Sequence, residues 1–229
     1  SQLGSGAADE TKRDMRNVGP SFQYKLRDAQ GQALEFNNYM LPLEFDGRWY
    51  LMSGMRSSPN EQFRYLRLPL DEEGRIDGHM QLRAALLDDK LRPEIARRFA
   101  ANAATGGSVS QTMRERLAES AERVLQLFAV RGFESVADFL DKAVPREDQE
   151  KAADVYLKVL EGTALEALAL VRSRAGLPAA PPDEGRLRFV RDSLNAISDS
   201  FLFGAPVYLQ LNQYDEVKAT GLQLTRSPG

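Results

Sequence analysis

A change of hydrophobic period near residue 70 constrains this chain more than any other feature. Before it, apolar side chains recur at every second position; after Asp77 they recur every three or four. Phe22, Tyr24 and Leu26 alternate with Gln23, Lys25 and Arg27, the mark of a half-buried strand. Ala29-Gln30-Gly31-Gln32 follows, with a glycine able to take positive φ, and a second β-rich run begins at Ala33. In that run Leu34, Phe36, Asn38 and Met40 share one face, and Glu35, Asn37, Tyr39 and Leu41 the other. The polar pair Asn37-Asn38 inside an aromatic strand predicts a bulge or a cross-strand hydrogen bond. Pro42 makes this region an edge or a break. Asp46-Gly47 between two apolar runs is a strong hairpin signal. Trp49, Tyr50, Leu51 and Met52 form the next strand, in which the sole tryptophan reads as a core anchor. After the loop Ser57-Ser58-Pro59-Asn60, residues 63–70 make a strand closed by Pro69. The sum is a meander of about four strands.

Helical periodicity begins near Asp77. His79 opens a short helix ending near Asp88, and a lone histidine at such a boundary reads as exposed or capping. Asp89 caps the next helix, with Pro93 in its first turn and Leu91, Ile95 and Phe99 as its buried stripe. Ser108 with Gln111 fits a capping box, and Met113, Leu117, Ala121, Val124, Leu125 and Phe128 then mark one amphipathic face. Arg114, Arg116 and Arg123 interleave with Glu115, Glu119 and Glu122, a solvated, salt-bridged surface rather than a nucleic-acid patch. Ser135 caps a short helix carrying Val136, Phe139 and Leu140. The longest helix covers residues 146–175, with Ala152, Val155, Tyr156, Val159, Leu160, Ala164, Leu168 and Val171 on its inner side. Gly162 interrupts it, which signals a close helix crossing. A last helix carries Leu187, Val190, Leu194, Ile197 and Phe201.

Strand character returns at 206–211 and 217–225. The fold class is therefore α+β: an antiparallel sheet from the N-terminal meander plus C-terminal strands, with an inserted region of about five to six helices. Residues 1–16, rich in Gly, Ala and charge, read as a flexible linker or a vector-derived segment. Residues 17–229 read as one α+β domain, mainly β over 17–76, mainly α over 77–204 and β over 205–229. The 30 basic and 33 acidic residues leave a net charge of −3, which gives no general nucleic-acid affinity. With no cysteine and one histidine, disulfides, thiol redox chemistry and multi-His metal sites are excluded. No apolar run approaches the roughly 20 residues that span a bilayer. Adjacent acids such as Asp71-Glu72 and Asp88-Asp89 point to different sides of the chain and read as turn residues rather than as an acid–base pair.

Two sets of short blocks carry a resemblance. One runs Asn17-Val18-Gly19-Pro20-Ser21, Tyr24-Lys25-Leu26-Arg27-Asp28, Gly31-Gln32, Asn38-Tyr39-Met40-Leu41-Pro42 and Phe63-Arg64-Tyr65-Leu66-Arg67. The other runs Ala205-Pro206-Val207, Gln210-Leu211 and Leu224-Thr225-Arg226-Ser227-Pro228-Gly229. With Val144-Pro145 and Lys151-Ala152-Ala153 between them, they resemble the ResB family, the membrane component of the type II cytochrome c maturation system. The resemblance covers most of the chain from Asn17 onward.

It implies an integral membrane protein, on the periplasmic side of the bacterial inner membrane, of which this sequence is the C-terminal part of the periplasmic domain. Thr225-Arg226-Ser227-Pro228-Gly229 would then lie just before the last transmembrane helix. The implied partners are a ResC/CcsA-type membrane protein and apocytochrome c; the implied work is haem delivery and covalent attachment. For this chain the expected share is a docking or scaffold surface, without a catalytic residue, a metal or a cofactor of its own, the haem being handled by the full complex. Asn37, Asn38, Tyr39, Arg64 and Arg67, taken as exposed members of the matching blocks, are the candidate partner contacts. The alternative is a direct haem-binding chaperone, with Trp49, Tyr50 or His79 as haem contacts. No family motif maps onto His79.

Overall fold

The computed structural model describes residues 19–27, 30–105, 107, 109–179 and 183–203. The expected leading linker and the expected C-terminal strands lie outside the described residues.

Five antiparallel strands open the fold: β1 (Ser21–Arg27), β2 (Ala33–Tyr39), β3 (Leu43–Phe45), β4 (Arg48–Arg56) and β5 (Arg64–Pro69). β4 is the hub. β5 lies along one of its edges, while β2 and β3 share the other, end to end, and β1 lies outside β2. The break between β2 and β3 falls at Pro42, which has no amide hydrogen for a ladder. The β3–β4 turn is two residues long, with Phe45 facing Arg48. Asp46 and Gly47 take φ of +50° and +76°, the doubly left-handed geometry that suits strand twist. Asn38 and Ser53 are register partners, and the Ser53 hydroxyl donates to Asn38 Oδ1 at 2.7 Å, the expected cross-strand bond. On the row Lys25–Glu35–Arg56, the Glu35 carboxylate takes both cations, at 3.3 and 2.6 Å. The Arg56 hydrogen bond above all holds the Glu35 carboxyl below the usual range.

Six helices follow among the described residues: α1 (Asp77–Leu86), α2 (Arg92–Ala103), α3 (Gln111–Arg131), α4 (Phe133–Ala143), α5 (Gln149–Arg174) and α6 (Glu184–Ser200). Single 3₁₀ turns precede α5 and follow α6. Their apolar stripes meet in one core, with Leu86, Ile95, Phe128, Leu160, Val190 and Ile197 among its most buried members. A second core joins the sheet to the helices: Phe36, Leu51, Met55, Leu66 and Leu68 meet Ile76, Ala196 and Phe203. α1 and α6 serve both. From α1, Leu82 and Leu86 enter the helical core and Met80 flanks the sheet core; from α6, Leu194 and Ile197 enter the first and Ala196 the second.

Several helix ends differ from the sequence expectation. α3 is capped by Ser110, whose hydroxyl accepts from Met113 N at 3.2 Å, not by Ser108. Asp89 does not cap α2, whose N-cap position is Leu91; the Asp89 carboxylate instead pairs with Arg92. α4 begins at Phe133, so Ser135 lies inside it, and its cap comes from another helix: Ser198 Oγ of α6 accepts from Phe133 N at 2.9 Å. The Asp71 carboxylate accepts backbone N–H bonds from Glu73, Arg75 and Gly78, at 3.1, 2.8 and 2.9 Å, and so caps α1. Met113 is 62% exposed, because α3 is about 31 Å long against about 18 Å for α2 at 1.5 Å per residue. Its first turns overrun the partner, and the buried stripe begins at Ala121. Val155, in the first half of α5, is exposed for the same kind of reason: the buried residues of α5 begin at Leu160.

Gly162 does mark a close crossing, with the ring of Phe99 on α2 seated against it; a Cβ there would come within 2.9 Å of Phe99 Cδ2. Gly162→Ala would gain about 1 kcal/mol of helix propensity. Displacing a packed ring costs about 1–3 kcal/mol. The expected net result is a loss of about 1 kcal/mol, read as a lower urea midpoint at unchanged slope.

Candidate functional site

Where the start of β4, the β5–α1 loop, the end of α5 and the start of α6 converge, they line an open cavity of about 540 Å³. That volume lies in the range of small-molecule sites. Its apolar wall includes Trp49, Tyr50, Leu70, Leu168 and Phe189; its polar wall carries Arg48, Arg172 and Arg186.

Each guanidinium is tied down. Arg48 donates from Nη1 to Asp192 Oδ2 at 3.1 Å and from Nη2 to the Gly185 carbonyl at 2.6 Å. Tyr50 donates its hydroxyl to the same Asp192 oxygen at 2.8 Å. Burial first, and then that bond, push the Tyr50 hydroxyl up to about 12. Arg172 grips Glu73 with both terminal nitrogens, at 3.2 and 3.4 Å, and reaches the Pro178 carbonyl. The hydrogen bond from Arg172 is the main cause that holds the Glu73 carboxyl below its usual range. Arg186 donates to Glu72 Oε1 at 3.1 Å, and Glu72 Oε2 lies 3.9 Å from Arg172. Sequence periodicity carried a signal for two of these residues. Arg172 falls four positions after Leu168 and Arg186 four before Val190, so each sits on a buried stripe where a cation needs an internal partner.

The residues expected to contact haem are only partly brought together. Trp49 and Tyr50 are neighbours on the cavity wall. Trp49 is not a core anchor: it is 51% exposed. It lies one residue into β4, opposite Glu44 of the three-residue edge strand, and frames the cavity instead of packing into the sheet core. His79 is neither exposed nor capping. It is 1% exposed, because α1 is covered on both flanks by the two cores, and it does not line the cavity. Its Nδ1 is buried without a hydrogen-bond partner, and burial, with nearby Arg83 adding to it, lowers its pKa to about 3.

The five candidate partner contacts also divide. Asn37 and Asn38 are buried, at 6% and 1% exposure, and work inside the sheet; Asn37 Nδ2 donates to the Tyr65 hydroxyl at 2.9 Å. Tyr39 and Arg67 are half-buried and Arg64 is exposed. The Tyr39 ring lies tilted against Tyr65, centroids 5.7 Å apart, and Arg67 lies over the Phe45 ring at 4.2 Å. Arg64 belongs with the opposite face, over Phe203 of the sheet core at 5.9 Å. Tyr65 in turn covers Gly54, where any Cβ would strike its ring. Alternation along β5 puts Tyr65 and Arg67 on one face and Arg64 on the other.

The fold and cavity define an α+β domain with a tightly ion-paired sheet–helix junction. Among the described residues, no group of three or more His, Cys, Asp or Glu is placed to hold a metal, and no helix is long and apolar enough to cross a membrane. The family model of the ResB-like family matches residues 2–229, and the chain belongs to that family. Membership makes it a cytochrome c biogenesis-related protein, in a family of biogenesis components rather than classical enzymes. It is a family of membrane-associated maturation components. No curated protein and no solved structure matches the chain.

Proposed function

We propose that this chain is an extracytoplasmic docking domain that assists haem delivery and attachment to apocytochrome c, beside a ResC/CcsA-type membrane partner. The observation that carries the reading is family membership over nearly the whole chain. The site chemistry agrees with it. The arginines and acids at the cavity pair with one another, and Asp71 with backbone amides, so they build a sheet–helix junction rather than a reaction centre. The docking face is the side of the sheet that carries Tyr39 and Arg67, where aromatic rings and cations alternate: Arg67 on Phe45, Tyr39 by Tyr65, Arg56 on Phe63 at 4.3 Å. Aromatic residues and arginine are the types enriched at interface hot spots.

In pull-down with apocytochrome peptide and with the membrane partner, the folded wild-type chain is expected to capture at least one of them. Tyr39→Ala and Arg67→Ala are expected to weaken capture at least about tenfold, the scale of a single hot spot. Capture of neither by the wild type defeats the docking reading.

The second reading, direct haem binding, is favoured by one observation, the placing of Trp49 and Tyr50 together at a cavity with arginines suited to propionate groups. The iron fares worse. His79 is buried and does not line the cavity, and the Tyr50 hydroxyl is held by Asp192. Neither side chain is offered as an axial ligand, so the residues present do not fit a ligated haem. A haem titration is expected to leave the Soret band as it is for free haem.

A further inference from the structure

Two buried cations at the cavity share a counter-ion that is half in water. The side chains of Arg172 and Arg186 are 9% and 6% exposed, while that of Glu72, which reaches both, is 55% exposed. Guanidinium groups at such depth need an opposing charge at all times. An exposed carboxylate, by contrast, contributes little to its ion pair and is easily exchanged. The other acids nearby are not exchangeable in that sense. Glu73 is bound bidentate to Arg172, Asp183 caps α6 by accepting from Arg186 N at 2.8 Å, and Asp71 is held by three amides. Beside this polar floor stands the half-exposed indole of Trp49, with Leu168 and Phe189 continuing the apolar wall.

We propose that the cavity binds a small organic acid with a flat apolar body, its carboxylate replacing Glu72 on Arg186 and Arg172 and its body lying against Trp49. Glu72 is then the displaceable stand-in for the ligand's own charge. The site needs no metal. Its wall meets the proposed docking face where Tyr50 lies 5.9 Å from the Phe45 ring, but its ligand anchors, Arg172, Arg186 and Trp49, are not docking residues, and the two readings are tested apart.

The chain has one tryptophan, so a ¹⁵N-labelled sample of the full 229-residue chain gives one indole N–H resonance. The probe is 1-naphthaleneacetate, and the control is 1-naphthaleneacetamide, which keeps the body and lacks the charge. The acid is expected to shift the Trp49 indole resonance saturably, and the amide to bind about tenfold more weakly, the factor one charge-assisted hydrogen bond supplies. Glu72→Gln is expected to tighten the acid several-fold and leave the amide unchanged. The backbone amide spectrum checks that this exposed substitution preserves the fold. An indole resonance that does not move, equal affinity for acid and amide, or a Glu72→Gln variant that binds the acid no better than wild type would each overturn the proposal.

Discussion

Gly132→Ala is expected to lower the unfolding free energy by about 4 kcal/mol, the largest loss from removing any one of the described glycines. Gly132 joins α3 to α4 at φ +67° and ψ −140°, a backbone region that is nearly glycine's alone. Placing a side chain there costs about 1–3 kcal/mol in strain. The new Cβ would also stand 2.6 Å from Ser198 Cα on α6, a backbone atom that cannot swing aside. Overpacking of that kind adds about 1–3 kcal/mol. Moving α6 away would in addition break the bond from Phe133 N to Ser198 Oγ, a cap worth about 1 kcal/mol. Gly176→Ala is the control: it too has positive φ, +70°, but nothing lies within 4 Å of its Cβ position. It should show the strain alone, about 1 kcal/mol. Urea unfolding followed by helix circular dichroism measures both. If the two substitutions cost the same, the close approach of α6 to the α3–α4 junction is not what the geometry says it is.

Acid is expected to destabilise the protein well above the pH at which carboxylates titrate, and His79→Leu is expected to abolish that part of the loss. In the unfolded chain His79 takes up its proton near 6.5; in the fold it does so only near 3. Between those values the unfolded state binds more protons, so stability is full above pH 6.5 and falls as pH is lowered towards 3. Glu35 and Glu73, held low by Arg56 and Arg172, also lose their contribution in acid, but only below their unfolded value of 4.5. The interval from pH 6.5 to 4.5 therefore isolates the histidine; at up to about 1.4 kcal/mol per unit, less the half-titration already present at pH 6.5, it amounts to roughly 2 kcal/mol. Asp199, raised by burial, works in the opposite direction, but it is present in both proteins and cancels in the comparison. Leucine fills a similar volume and leaves no unpaired ring nitrogen in the core. Urea midpoints of the two proteins at pH 6.5 and pH 4.5 are the measurement, and parallel changes in both would refute a buried neutral imidazole.

What the sequence disclosed and what it concealed follow from the reach of the forces involved. Asp46-Gly47 announced its hairpin because turn chemistry is set by the two residues themselves. Gly162 announced a crossing because glycine inside a long helix needs a reason from outside it. Helix stripes named most of the core. They misplaced Met113 and Val155, because periodicity says which face is apolar but not how far the neighbouring helix extends. Ser135 looked like a cap, and the true cap, Ser198, lies 65 residues after the Phe133 amide it accepts from, a pairing that no local rule reveals. His79 and Trp49 were exchanged, the histidine buried and the tryptophan half in water. Average preferences of a residue type decide nothing at a junction where one strand ends and a helix is covered on both flanks. At the cavity the tryptophan and tyrosine were legible as candidates, whereas Arg48, Arg172 and Arg186 come together only through contacts across more than 90 residues.

α1 and α6 each give side chains to the helical core and to the sheet core. A hinge between two layers needs a boundary where few contacts cross, and here the boundary is bridged by whole helices. The domain is thus a stiff bracket. Whatever takes hold of the strands is set at a fixed distance and angle from the outer helices, and the orientation reaches the far side of the molecule without a moving part.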